Sequence, residues 1–351
     1  MTATAFSKAG VGKGVGRCRA IPIRFSRMTD YKRHSRRKTT FDYYEGMSEP
    51  LAYLNGRYLP FSQAAIPVTD GGFVQGVTVA EQLRTFGGKL FRLEQHLGRL
   101  ARSLAIVGIE LGMPVEKLGE IARELAERNH ALFGPGDDLG LSMFVTPGPY
   151  STFSGGAATG PTIGLHTYPL PFQLWKEKYE RGESLVVTDV MQVPATCWPT
   201  ELKCRSRMHY YLADQQARQR EAGARALMLE ERGFVTEAST ANILVYYRDV
   251  GLVSPPKEMI LPGVSAAVVE ELAKSLGIPF SFRPLTVDDV AAAEEALLCS
   301  TSPCIWPVTR LNGRPIGDGK PGEIARSLLT AWNKLVGLDI AAQADRFAAR
   351  G

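Results

Sequence analysis

Lys203 and Glu237 are the residues whose types and placement could do chemistry. Lys203 stands in Glu201-Leu202-Lys203-Cys204-Arg205-Ser206-Arg207, and Glu237 in Thr236-Glu237-Ala238-Ser239-Thr240-Ala241-Asn242-Ile243-Leu244. Between them lie a helix-patterned stretch and a hairpin, with strands at 226–229 and 234–236 around a turn at Glu231-Arg232-Gly233. That order can bring an amine and a carboxylate onto one small molecule. An amine can form a Schiff base with an aldehyde and carry a proton, and a carboxylate can keep a nitrogen protonated. Farther along, Leu261-Pro262-Gly263-Val264-Ser265 opens a helix, so the amides of Val264 and Ser265 can point at an anion. Taken singly, a lysine is usually a solvated charge, Arg99 an exposed helix charge and Thr301 a turn residue. Their combination carries the argument.

The elements that must position these groups are legible from pattern. Order is expected from about Leu51, where 53–59 reads as a hairpin through Asn55-Gly56, a pair suited to the positive φ angles of a type I′ turn. A second hairpin turns at Gly87-Gly88. Leu93, Leu97, Leu100 and Leu104 recur on one helical stripe, and Leu118, Ile121 and Leu125 mark another helix over about 115–128. The breaker-rich stretch 147–160 reads as a mobile loop of the kind that covers sites. A domain boundary is expected near 169–171. Beyond it strands and helices alternate, with a helix opening at Ser265 and stopping at Gly277, and a last helix over about 322–336. The expected organisation is an extension at 1–50, a small domain at 51–170, a larger domain at 171–340 and a tail at 341–351.

The 351 residues suffice for about two domains. No apolar run approaches the roughly 18 residues of a membrane helix, so no membrane partner is expected. Cys18, Cys197, Cys204, Cys299 and Cys304 form no CxxC pair and no ligand set with histidine, which reads as reduced thiols in a cytoplasmic protein and leaves no metal site. The net charge of +5 is concentrated at the front: the first 50 residues hold eleven Lys/Arg against four Asp/Glu, so the rest is slightly acidic. Arg33, Arg36, Arg37 and Lys38 could serve nucleic-acid binding or targeting. The favoured reading is a disordered extension with little to bury, or a true start at Met28 or Met47, with nucleic acid not expected as a partner.

The motifs resemble those of the class IV (fold-type IV) pyridoxal-phosphate aminotransferases, which include branched-chain and D-amino acid enzymes. Glu237-Ala238-Ser239-Thr240-Ala241-Asn242 is similar to the family's E-x-[ST]-x-[AS]-N, and Asp70 to Glu81 to its D-x-G-F-x-[FYH]-G-D-G-x-[FY]-E. The resemblance covers roughly 51–340 and implies an α/β (α+β) two-domain fold, with a smaller N-terminal α/β domain and a larger barrel-like C-terminal one. It implies pyridoxal 5'-phosphate as cofactor, Lys203 as the Schiff-base lysine at the end of a strand, and Glu237 as the acid beside the ring nitrogen. Arg99, Thr240, Ala241, Asn242, Gly263, Val264, Ser265, Ser300 and Thr301 would complete the cofactor cradle. It also implies a homodimer acting on an amino acid and a keto acid, with branched-chain amino acids as the default donor. A lyase of the aminodeoxychorismate type, or a non-catalytic homologue that binds the cofactor, is the alternative.

Departures fall on the substrate side. Gln75 and Ala80 replace aromatic rings, and Val77-Thr78 replace Asp-Gly. Thr146-Pro147-Gly148 lacks the arginine of the D-amino acid enzymes' Thr-Arg-Gly. Met208 stands where branched-chain enzymes carry a tyrosine, with His209, Tyr210 and Tyr211 just beyond, and Ala266 where many members carry an arginine. A carboxylate substrate still needs a cation, so Arg205 or Arg207 is expected to face the site, with Gln75 as a further substrate candidate.

Overall fold

The computed structural model describes residues 49–156 and 160–350. The basic extension and Cys18 lie outside the described residues.

The chain opens with β1 (Leu51–Leu54) and β2 (Arg57–Pro60), joined by Asn55 (φ 48°) and Gly56 (φ 87°), the two left-handed residues a type I′ turn requires. A short helix, α1 (Gly71–Val74), starts at Asp70, whose carboxylate accepts from the Gly72 amide. Then come β3 (Val79–Phe86), β4 (Lys89–Leu90), the helices α2 (Leu93–Val107) and α3 (Val115–His130), and the long strands β5 (Leu139–Thr146) and β6 (Thr162–Pro169). The six strands form one antiparallel sheet in the order β2-β1-β6-β5-β3-β4. Alternation on β5 sends Leu139, Leu141, Met143 and Val145 into one cluster with Leu83, Leu100, Leu118 and Leu125. Ser142, Phe144 and Thr146 take the opposite face.

The α2 helix carries two buried stripes. Leu93, Leu97, Leu100 and Leu104 pack on the sheet, while His96, Arg99 and Ser103, also at helical spacing, are buried as polar groups. The second stripe faces the functional site.

The remaining strands are β7 (Glu183–Val187), β8 (Arg225–Leu229), β9 (Val235–Ala238), β10 (Ala241–Tyr247), β11 (Gly251–Ser254), β12 (Phe280–Phe282), β13 (Glu295–Ser300), β14 (Cys304–Leu311) and β15 (Arg314–Pro315). Six of them close on themselves in the order β10-β13-β14-β7-β8-β9, because β9 pairs with both β8 and β10. This is the expected barrel, with β11 and β12 extending it from β10. Its strands are apolar on both faces, as strands covered on both sides must be. Ile243, Val245, Leu298 and Val308 fill one side, and Leu244, Leu297 and Ile305 pack with Val268, Leu328 and Trp332. The helices of this half are α4 (Lys176–Arg181), α5 (Met208–Arg220), α6 (Val264–Ser275), α7 (Val287–Ala291), α8 (Glu323–Val336) and α9 (Ile340–Phe347).

Two expectations change. The stretch after 341 is no tail: Asp339 caps α9 by accepting from the Ala342 amide, and Ala344 packs with Leu170, Phe172, Trp175 and Trp306. The loop after Thr146 is tied at its start, since the Gly71 amide donates to the Gly148 carbonyl (2.7 Å) and the Tyr150 amide to that of Thr69 (2.8 Å). Residues 157–159 of that loop lie outside the described residues.

Asn129, buried on α3, fastens the sheet's far edge. Its side chain accepts from the Leu51 amide and donates to the Leu51 carbonyl and the Thr167 hydroxyl, each at 2.8 Å. Asn129→Ala leaves these groups unpaired, and a loss of about 2 kcal/mol is expected from urea unfolding midpoints at unchanged slope.

Candidate active site

One cavity of about 190 Å³ lies between the barrel and the sheet, and Lys203 and Glu237 both line it. No strand leads directly into Lys203; residues 188–207 run as turns and irregular chain between β7 and α5. The lysine is placed instead by the sheet. Cys204 makes an isolated antiparallel bridge to Val79, flanked by Ala80 N–H to Lys203 carbonyl (3.1 Å) and Arg205 N–H to Thr78 carbonyl (2.8 Å). The Lys203 amide also donates to the Ser103 hydroxyl on α2 (3.1 Å). The side chain then enters the cavity. Burial first, and the Arg99 charge next, bring its pKa from the ordinary 10.5 to about 7, with Glu81 opposing the shift.

Glu237 sits on β9, opposite Asn242 of β10. It is buried, and its carboxylate accepts from the Tyr210 hydroxyl, from Gln192 Nε2 (3.1 Å) and from the Leu261 amide (3.4 Å). Burial raises its pKa, while these donors and the Lys203 charge act to keep it ionised. Gln192 Oε1 is buried without a partner among the described residues.

The anion end is assembled from three directions. The α6 helix begins at Gly263 with no side-chain cap, leaving the first-turn amides of Val264 and Ser265 open toward the cavity. A Cβ there would stand 2.0 Å from Asn242 Oδ1, so any larger residue must displace the side chain that pins the turn. Asn242 in turn donates to the Leu261 carbonyl (3.0 Å), pinning the turn. Arg99 adds the cation: it grips Glu81 through Nε and Nη2 (2.7 and 2.8 Å) and the Pro262 carbonyl through Nη1 (2.9 Å). Burial pushes Glu81 up, but its bonds to Arg99 and His96 outweigh that and hold it well below the carboxylate range. The third wall is the turn from β13 to β14, with Ser300, Thr301 and Ser302. The Ser300 hydroxyl donates to the carbonyl of Thr240 (3.2 Å), a β-branched residue held at φ 66° in the tight β9–β10 turn. Such strain persists where the surroundings impose it.

The cavity thus gathers Lys203, Glu237, Arg99, Thr240, Ala241, Asn242, Gly263, Val264, Ser265, Ser300, Thr301 and Arg207. Two candidates are not brought there. Gln75 is exposed at the end of α1, and Arg205 donates to the Ser142 hydroxyl (2.5 Å) and lines a separate cavity with Phe144, Thr146 and His166. Sequence reasoning missed Tyr210 and Gln192 as partners of Glu237. Tyr210 had a signal, standing just beyond the expected tyrosine position; Gln192, in irregular chain, had none. Met208 itself points out to solvent, 69% exposed.

An amine of lowered pKa, a buried carboxylate and a cationic, amide-lined anion cup in one cavity fit pyridoxal phosphate part for part. The uncapped α6 turn suits its phosphate, Lys203 its aldehyde and Glu237 its ring nitrogen.

Comparison with known proteins agrees. D-Alanine aminotransferase of Bacillus licheniformis is 29% identical over 79% of this chain and 94% of its own length. That of Staphylococcus aureus (strain N315) is 28% identical over 81% and 97%. Among solved structures, the branched-chain aminotransferase of Thermoproteus uzoniensis with norvaline superposes at a TM-score of 0.72 with 25% identity, covering 83% of this chain and 96% of that one. The branched-chain amino acid aminotransferase from Escherichia coli superposes at 0.71 with 21% identity, over 83% and 94%, and shows the same fold. The amino-transferase class IV family pattern matches residues 78–311, and the chain belongs to that family of pyridoxal-phosphate enzymes.

Proposed function

We propose that the chain transfers an amino group between an α-amino acid and a 2-keto acid, with Lys203 as the catalytic amine and Glu237 as partner of the cofactor's ring nitrogen. The observation that carries this reading is the convergence of Lys203, Glu237 and the open α6 turn on one cavity. Pyridoxal phosphate, when bound, supplies an aldehyde for the substrate amine and an electron-accepting ring that stabilises negative charge at the substrate Cα. The lysine's lowered pKa leaves about half of its amine neutral near pH 7, so it could take a proton from the substrate Cα and deliver it to the cofactor's former aldehyde carbon. Glu237, oriented by Tyr210 and Gln192, holds a proton at the ring nitrogen. Arg99, Val264, Ser265, Ser300 and Thr301 bind the phosphate, while Thr240, Ala241, Asn242 and Gly263 shape the cradle.

Arg207 is the substrate's carboxylate anchor in this reading. It lines the cavity, pairs with no acid among the described residues, and donates only weakly to the Cys204 carbonyl (3.4 Å). Val193, Trp198 and Leu202 supply an apolar wall, which favours donors with apolar side chains, branched-chain amino acids among them. The D-alanine aminotransferase relatives favour a second reading, a small D-amino acid donor. All the relatives named are aminotransferases, which favours transfer over the lyase alternative. We read the protein as a cytoplasmic homodimer, supported by the exposed apolar side chains Ile66, Val68 and Phe73 and by free cysteines. Among the described residues no helix is long and apolar enough to cross a membrane.

Assaying L- and D-amino acids against 2-oxoglutarate should give transfer from one stereochemical series. Lys203→Ala should lower turnover roughly a thousandfold or more. No transfer from any donor would contradict the reading. Arg207→Ala should raise KM for the amino acid roughly tenfold with kcat little changed, as expected for loss of a charged hydrogen bond to substrate. In cofactor-free protein, acylation of Lys203 read by peptide mass should rise with pH through about 7, not near 10.5.

A further inference from the structure

Arg84 is fully buried on β3, and among the described residues no acid pairs with it directly. Its Nη1 donates to the Ser302 carbonyl (2.7 Å), Nη2 to Gln343 Oε1 on α9 (2.7 Å) and Nε to the Thr85 carbonyl (3.2 Å). The Phe86 ring lies 4.1 Å from the guanidinium carbon. A bare buried cation is costly, so its charge must be answered nearby. The answer comes at one remove. Gln343 Nε2 donates to Asp138 Oδ2 (2.8 Å), and the buried Asp138 carboxylate also takes the Thr85 hydroxyl (2.6 Å) and the amides of Gly87 (3.2 Å) and Gly88 (3.1 Å). Gln343 therefore bridges a buried cation and a buried anion with its amide dipole aligned between them.

The other end of this chain of bonds is the third wall of the active site. Ser302 follows Ser300 and Thr301 in the turn from β13 to β14, and Arg84 holds its carbonyl from behind. The next carbonyl, Pro303, accepts from the Tyr179 hydroxyl (2.7 Å). The turn is thus clamped by the sheet and the helices around it, and α9 reaches it through Gln343 and Arg84.

We propose that Gln343, acting through Arg84, is a positioning residue for the phosphate end of the site, so that α9 latches the 300–302 turn in its binding geometry. Without the Gln343 acceptor, Arg84 loses the link that neutralises it and shifts toward other acceptors, carrying the Ser302 carbonyl with it. The proposal rests on the reading of Ser300 and Thr301 as phosphate ligands.

The test titrates full-length protein, stripped of cofactor, with pyridoxal phosphate and separately with pyridoxal, which lacks the phosphate. Wild type should bind pyridoxal phosphate more tightly. Gln343→Ala should weaken pyridoxal phosphate roughly tenfold, the scale of one hydrogen bond to a charged group, and pyridoxal less than about twofold. If that variant does not fold by circular dichroism, Arg84→Lys, which keeps the charge but not the fork of donors, should show the same selective loss. Equal weakening of both ligands, or none of either, would overturn the latch. A wild type that binds both alike would overturn the phosphate reading and the latch with it.

Discussion

The site depends on the buried pair of Glu81 and Arg99. Glu81 comes from β3, Arg99 from α2, and the third bond of the arginine reaches the Pro262 carbonyl at the start of the α6 turn. One guanidinium thereby fixes sheet, helix and barrel relative to one another at the cup proposed for the phosphate. Removing either charged partner alone would strand a buried charge at a cost of about 3–5 kcal/mol. Arg99 is also the second cause of the lowered Lys203 pKa, so the same cation that prepares the anion cup prepares the amine. In the proposed reading, phosphate binding and proton transfer share one electrostatic origin.

The barrel and sheet divide the labour. Closed strands with both faces buried hold Glu237 and Asn242 in register, while the sheet places Lys203 through the Val79 to Cys204 bridge. Neither half makes the site alone. Short loops from the barrel (the Thr240 turn, the 300–302 turn and the α6 turn) meet the polar stripe of α2, and the cavity is the space they leave.

Much of this was legible in the residues because it is locally encoded. Asn55-Gly56 specifies its turn through backbone sterics, and the leucine stripe of α2 specifies a buried face through its spacing. Lys203 and Glu237 stood out because their neighbours match a pattern across many residues. What could not be read depends on tertiary placement. Arg205 and Arg207 look alike in sequence, yet their side chains line different cavities because the chain around Cys204 is pinned to β3. Tyr210 reaches Glu237 only because α5 packs beside β8. The helix α9 was missed although Asp339 is a good cap, since its apolar face, Ile340 and Ala344, is too small to stand out without the aromatic cluster that covers it.

The central claim, that Lys203 and Glu237 serve one bound pyridoxal phosphate, is tested most directly by the visible absorption of the purified protein loaded with cofactor. The account predicts a band beyond that of free cofactor, displaced on adding a productive amino acid and absent in Lys203→Ala. A wild type with no such band, or a band that persists unchanged in Lys203→Ala, would contradict it.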